Sequence, residues 1–308
     1  MGITVLYVGG CTRSGSTLID RMLGQLPGIV STGEFGLITT HCLTVNRLCG
    51  CGKPFHDCEF WGEVGRRAFG GWDTDEAREL IALHPRVTRQ RHIPFILLSP
   101  LTLRFRRDLE RYRELLAPLY SALAEVGNAK IIVDSTKAPA YAFVLRGVSG
   151  IDLRTLHLVR DSRGTAYSSS KVQVMKDSVE SVVYKDRYPP AVITLRWMLY
   201  HLLFDLLKVV DRRTIDYRYE DVVRDPRAFM RRVLAWLGVD VTDAQLAFIS
   251  PDSVELGVNH TIAGSDMRLD NGRLALREDD KWRTALRPAS RRLVTVMSWP
   301  FLKRWRYT

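Results

Sequence analysis

The 308-residue chain is poor in cysteine. It has five, an odd number at this length, which argues against a disulfide framework. It also lacks an apolar run that spans a bilayer, because Ile93–Leu101 and Met198–Val210 are too short or too interrupted. The start has no basic region and no small-residue cleavage site, and Leu6 stands where a myristoylation signal after Gly2 needs Ser or Thr. Repeats and low-complexity tracts are missing too, and 46% hydrophobic residues exclude wholesale disorder. These absences predict a soluble, intracellular single domain over residues 1–308 without stable membrane insertion. Basic charge, by contrast, is plentiful: 45 Lys and Arg against 34 Asp and Glu leave a net +11. Such an excess points to a polyanionic partner, whether nucleic acid, an anionic membrane surface or a phosphorylated small molecule.

The hydrophobic pattern alternates between strands and helices. Ile3–Val8 reads as a buried parallel strand, followed by a glycine-rich turn and a helix over Leu18–Leu26 that Pro27-Gly28 stops. Ile29–Ser31, Lys130–Asp134, Leu153–Val159 and Thr214–Tyr219 are further strands. Helical patterns follow over Pro139–Arg146, Ser162–Lys171 and Asp221–Leu237. The alternation predicts an α/β fold with a central parallel sheet and helices on both faces. The imperfect alternation of Leu153–Val159 predicts a place nearer an edge. Cys58–Gly127 is helical and basic and reads as an insertion over the sheet. A long helix over Ala191–Val210 follows Pro189-Pro190, and a terminal helix ends near Trp305.

Between the first strand and helix lies Gly9-Gly10-Cys11-Thr12-Arg13-Ser14-Gly15-Ser16-Thr17. Strand, glycine-rich turn and helix together aim backbone N–H groups and a helix N-terminus at a phosphate. The Gly-Lys-Ser/Thr ending of an ATPase loop is missing, and the positive charge sits earlier, on Arg13. A guanidinium offers a planar fork to phosphate or sulfate oxygens. The loop therefore suits a nucleotide anion handled without a metal, or else it is an ordinary strand-to-helix turn.

Arg13-Ser14-Gly15-Ser16-Thr17-Leu18 after an N-terminal strand resembles the 5′-phosphosulfate loop of sulfotransferases, which use 3′-phosphoadenosine-5′-phosphosulfate (PAPS) as donor. Ser31-Thr32-Gly33-Glu34, Val133–Lys137, Leu158–Ser168 and Arg218–Pro226 follow in the family's order, so the resemblance runs from about Ile3 to Trp282. It implies a P-loop-type three-layer fold. It also implies that Arg160 and Ser168 hold the 3′-phosphate, that Tyr219 packs near the adenine, and that 3′-phosphoadenosine-5′-phosphate (PAP) is the product. In the cytosolic branch of the family a histidine after the third strand is the base. The comparable segment here, Asp134–Pro139, has none. Glu34 matches the glutamate of the bacterial and tyrosylprotein branches and is the implied general base. Lys137, with Arg13, is implied to stabilise the sulfuryl group and the bridging oxygen.

Several assignments stay open at this level. Glu34 also suits a helix N-terminus, and His41 and His260 are alternative bases. The loop His260–Arg268 resembles the family's last cofactor segment, but it reads Gly264-Ser265-Asp266 where relatives have Gly-Asn. That departure leaves the roles of Ser265 and Asp266 undefined, and Arg268 is a candidate phosphate contact. Cys49, Cys51 and Cys58, near Cys42, His41 and His56, hold one tight pair rather than the two couples usual in zinc sites. Reduced thiols are expected there, and no metal is assigned to them or to the reaction. The acceptor, a hydroxyl of a small molecule, glycan or glycolipid, should meet the insertion and the Ala191–Val210 helix. A bacterial-type cytoplasmic enzyme is the simplest setting, without a nucleic-acid partner. Rival readings are a basic nucleic-acid or membrane-surface module, in which aromatic residues among basic ones would stack on bases, and a P-loop small-molecule kinase with Asp134 as its Mg²⁺ carboxylate.

Overall fold

Alternation along the first strand decides the layering. In β1 (Ile3–Gly10), Val5 and Tyr7 point to one side and Leu6 and Val8 to the other, and all four are fully buried. Burying such side chains stabilises the fold by about 1.5–3 kcal/mol each. The computed structural model describes residues 2–98, 103–178, 183–278 and 280–308. Residues 99–102, the end of the Ile93–Leu101 run and part of the expected insertion, lie outside them.

In chain order, α1 (Ser16–Leu23) and β2 (Ile29–Ser31) follow β1. Then come the insertion helices α2 (Glu59–Phe69), α3 (Asp75–Val87), α4 (Ile93–Leu97) and α5 (Leu103–Val126). β3 (Ile131–Lys137), α6 (Pro139–Leu145), β4 (Ile151–Val159) and α7 (Ser162–Ser170) continue the alternation. A hairpin of β5 (Val174–Met175) and β6 (Val183–Tyr184) precedes α8 (Pro190–Val210), β7 (Thr214–Arg218), α9 (Tyr219–Arg224) and α10 (Pro226–Leu237). The chain ends with a second hairpin, β8 (Ser253–Leu256) and β9 (Gly272–Ala275), then α11 (Trp282–Ala285) and α12 (Pro288–Arg304).

β2, β3, β1, β4 and β7 form one parallel sheet in that order. Val5 and Tyr7 pack under α2, α3, α5 and α6, whereas Leu6 and Val8 pack against α1 and α10. The expected α/β architecture with helices on both faces is present. Among the described residues no helix is long and apolar enough to cross a membrane.

Two features differ from expectation, whereas β4 lies toward an edge as its alternation implies, between β1 and β7. Its alternation is imperfect because His157, fully buried, bonds Asp216 at 2.6 Å and His201 at 2.6 Å. The single helix expected over Asp221–Leu237 is two helices. Pro226 cannot continue the preceding ladder, and Asp225 caps α10 by accepting from the Ala228 N–H at 3.0 Å. The two short hairpins carry too little periodicity to be read from sequence.

α1 is fastened deeply. Arg21, 1% exposed, donates to the carbonyls of Met267 (2.7 Å), Gly257 (2.8 Å) and Asp270, so α1 carries the late loop with it. Asp20 is fully buried and accepts from Ser31 Oγ at 2.6 Å, and burial pushes its carboxyl up to about 8. The folded chain therefore keeps a proton that the unfolded chain releases near pH ~4. Stability falls as the pH rises from about 4 to about 8, by up to about 1.4 kcal/mol per pH unit. Asp20→Asn is expected to flatten that slope and to melt above the parent at pH 8. Thermal unfolding across a pH series measures it, and an unchanged slope contradicts the assignment.

Candidate active site

Parallel strands end together, so the segments after β1, β2, β3 and β4 converge at the carboxyl edge of the sheet. There they form a cleft of about 1210 Å³. Arg13–Leu18, Glu34, Lys137, Arg160, Ser168 and Tyr219 all line it. The turn into α1 is built from left-handed residues, Arg13 at φ 64° and Gly15 at φ 90°. A Cβ on Gly15 would stand 2.2 Å from the Tyr219 ring, so glycine lets the loop and that ring lie together. Ser14 Oγ is buried and takes no hydrogen bond among the described residues, an orphan donor beside the start of α1.

Glu34 follows β2, and its N–H donates to Ile262 O at 2.9 Å. Lys137 ends β3 at φ 70°, a left-handed conformation unusual for lysine. Their side chains form an ion pair, each 12% exposed. Asp134 supports both from beneath. Its carboxylate accepts from Tyr120 OH at 2.6 Å, from the Thr136 N–H at 2.9 Å and from Thr136 Oγ1. Thr136 Oγ1 in turn accepts the Gly36 N–H at 2.7 Å. Burial raises the Asp134 carboxyl to about 6. Asp134 is fully buried and outside the cleft, so it does not serve as the Mg²⁺ carboxylate of the kinase reading.

Arg160 directly follows β4. It donates to Arg13 O at 2.6 Å, and its guanidinium lies 4.9 Å from the centre of the Tyr219 ring. Trp197 Nε1 holds the Arg160 carbonyl at 3.0 Å. The neighbouring Asp161 carboxylate is bound by Arg163 at 2.7 Å. Among the described residues, eight Arg and Lys side chains face the cleft against three carboxylates, a field that attracts and focuses an anion. Burial lowers the Arg13 pKa against the opposing pull of Asp266 and Glu34, and its guanidinium stays charged.

Gly264, at φ 100°, closes the late loop over the site. A Cβ there would lie 3.0 Å from Glu34 Oε1 and 3.3 Å from Thr17 Oγ1. Ser265 N–H reaches toward Thr17 Oγ1 at 3.4 Å, and Asp266 pairs with Lys185 at 2.8 Å. Arg268 is a correction. It is fully buried and outside the cleft, bonded to Asp177 at 2.8 Å, Leu48 O at 2.7 Å and Thr261 O at 3.1 Å. Its charge is consumed in holding three loops, which leaves none for a phosphate. His260 is likewise outside the cleft, beside Cys49 and Cys58. Cys49, Cys51 and Cys58 are free thiols, as expected, and His260 joins them. His41 does line the cleft, bonded to Thr40 Oγ1 at 3.0 Å, and burial lowers its pKa. Arg47, Lys185 and Arg196 also face the cleft. They are single basic residues in unpatterned surroundings, and no motif marks them.

A smaller cavity of about 260 Å³ adjoins the cleft and shares Glu34, Lys137 and Arg196 with it. His84 and Thr88 of the insertion and Tyr200 of α8 form its far wall. The Arg196 guanidinium donates to Tyr200 OH at 2.9 Å. Burial lowers the His84 pKa to about 4, so the ring is neutral, with Nδ1 2.8 Å from Tyr112 OH.

Comparison with known proteins adds three findings. The model of a family described as the sulfotransferase family matches residues 70–243, 174 of the 308 residues. No curated protein matches. Among solved structures, the sulfotransferase domain of the olefin synthase from Synechococcus PCC 7002 superposes with a TM-score of 0.54 at 21% identity, covering 97% of this chain and 94% of that one. The sulfotransferase domain from the curacin biosynthetic pathway gives a TM-score of 0.52 at 17% identity, covering 96% of each chain. Both likenesses are of fold.

Proposed function

The chain belongs to the sulfotransferase family, and on that premise we propose that it moves a sulfuryl group from PAPS to the hydroxyl of an acceptor by in-line transfer. The observation that carries this reading is the position of the Glu34–Lys137 pair on the wall shared by two spaces: the basic cleft under the phosphate loop and the smaller cavity. The first suits a nucleotide anion and the second a neutral group with a hydroxyl. The orphan Ser14 hydroxyl and the close approach that Gly15 permits to Tyr219 fit a phosphosulfate and an adenine in the cleft.

PAPS would supply the sulfuryl group and leave as PAP. Loop N–H groups, Ser14 and Arg13 would orient its 5′ end, and Arg160 with Ser168 would bind the 3′-phosphate. Lys137 would turn from Glu34 toward the donor's anionic oxygens, leaving the carboxylate to accept the acceptor's proton. The acceptor oxygen then bonds to sulfur as the sulfur–oxygen bond to the 5′-phosphate breaks, and Lys137 and Arg13 stabilise charge on the leaving oxygen. His84, Thr88, Tyr200 and Arg196 would choose the acceptor. They admit one ring-bearing group, whether a free small molecule or a terminal sugar of a glycan or glycolipid.

Calorimetric titration with PAP, with AMP and ATP as controls, tests the donor. PAP is expected to bind far more tightly than either control. Arg160→Ala is expected to lose about ten- to a hundredfold in PAP affinity, the value of a hydrogen bond to a charged group, with AMP binding nearly unchanged. Equal binding of the three nucleotides would overturn the assignment and favour the kinase or nucleic-acid reading.

A further inference from the structure

Three cysteines and a histidine that the proposed reaction does not use meet on the far side of the Glu34 loop. Cys49 Sγ lies 3.6 Å from Cys58 Sγ and 3.7 Å from His260 Nδ1. Cys58 Sγ lies 3.7 Å from Cys51 Sγ and 3.3 Å from His260 Nδ1. All four atoms fall within 4.8 Å of one another. Zinc–sulfur bonds of about 2.3 Å and zinc–nitrogen bonds of about 2.0–2.1 Å place tetrahedral ligands about 3.8 Å apart for two sulfurs and about 3.5 Å for sulfur and nitrogen. The four separations given agree with these to within a few tenths of an ångström. A disulfide would need about 2.0 Å, and the cysteines are free thiols.

We propose that Cys49, Cys51, Cys58 and His260 bind one zinc ion in a closed structural site. Three thiolates and an imidazole are a soft donor set that selects zinc among common divalent ions, and four protein ligands leave no open position for chemistry. The surroundings hold the ligands in place. Cys49 and Cys51 stand on a tight turn in which Gly52, at φ 87°, donates to Cys49 O at 2.9 Å and the Cys49 N–H donates to Lys53 O at 2.8 Å. The His260 ring is stacked on Phe60 at 4.8 Å, and its carbonyl accepts Trp61 Nε1 at 2.9 Å. Such outer contacts orient metal ligands.

The ion ties together segments about 200 residues apart in sequence. Two residues past His260, Ile262 pairs with the Glu34 segment: its N–H donates to Thr32 O at 2.9 Å and its carbonyl accepts the Glu34 N–H at 2.9 Å. The zinc is a staple behind the backbone that presents Glu34, and it takes no part in transfer.

Elemental analysis of the full chain, purified without chelator and with any affinity tag removed, is expected to find about one zinc per chain. Cobalt exchanged for zinc is expected to give thiolate-to-metal charge-transfer absorption and the intense visible bands of a tetrahedral site. Cys58→Ser and Cys49→Ser should lose the metal, and His260→Ala should weaken it at least about tenfold. Cys42→Ser, a buried thiol outside the cluster, should keep it. Metal-free parent protein that does not take up cobalt overturns the proposal, as does zinc retained by folded Cys58→Ser or an intact mass lower by the two hydrogens of a disulfide. Metal content reads this site whether or not the chain transfers sulfuryl groups.

Discussion

Glu34→Gln is expected to slow sulfuryl transfer by about 10²- to 10⁴-fold, the range for removing a positioned general base, while PAP binding changes little. Glutamine keeps the size of the side chain but cannot take the acceptor's proton. The loss should therefore fall on kcat and kcat/KM together, as for an interaction made only in the transition state. Glu34→Asp, which keeps the charge but withdraws it by one methylene, is expected to lie between parent and Gln. Steady-state rates with a PAPS donor, set beside PAP titration of the same samples, measure the split. A Glu34→Gln rate within a few-fold of the parent would move the base to His41, which also faces the cleft.

What the sequence made legible here follows from locality. Strand, glycine turn and helix are contiguous, so the phosphate loop can be read from nine residues. Lys137 and Arg160 are legible for a second reason: one ends an apolar strand and the other directly follows one, and parallel strands bring their carboxyl ends to one edge. Arg268 fails on the same ground. Its one acidic partner, Asp177, lies 91 positions away and Leu48 lies 220 away, so the local sequence does not reveal that its charge is already bound. The cysteine cluster looked incomplete because its fourth ligand lies 202 positions beyond Cys58. His157 broke the period of β4 because it bonds a histidine and an aspartate from other elements in the core. Each misreading is a polar side chain whose burial is balanced by a distant partner.

Removing the ammonium of Lys137 is expected to cost about 10²- to 10³-fold in kcat, as for loss of one preorganised donor at a developing charge. Two variants separate the side chain from its backbone. Lys137 sits at φ 70°, where a residue with a Cβ is strained by roughly 1–2 kcal/mol and glycine is not. Lys137→Gly should therefore be as slow as Lys137→Ala yet about 1 kcal/mol more stable. Either change leaves the nearly buried Glu34 carboxylate without its cation, so Glu34→Gln added to Lys137→Ala should recover stability. In rate the pair should be far from additive: the double variant should be little slower than the slower single one, because base and cation act on the same transferring group. Multiplying losses would mean that Lys137 serves the donor independently of Glu34. In that case the ion pair between them would be a resting contact of the empty site and not a catch that donor binding opens.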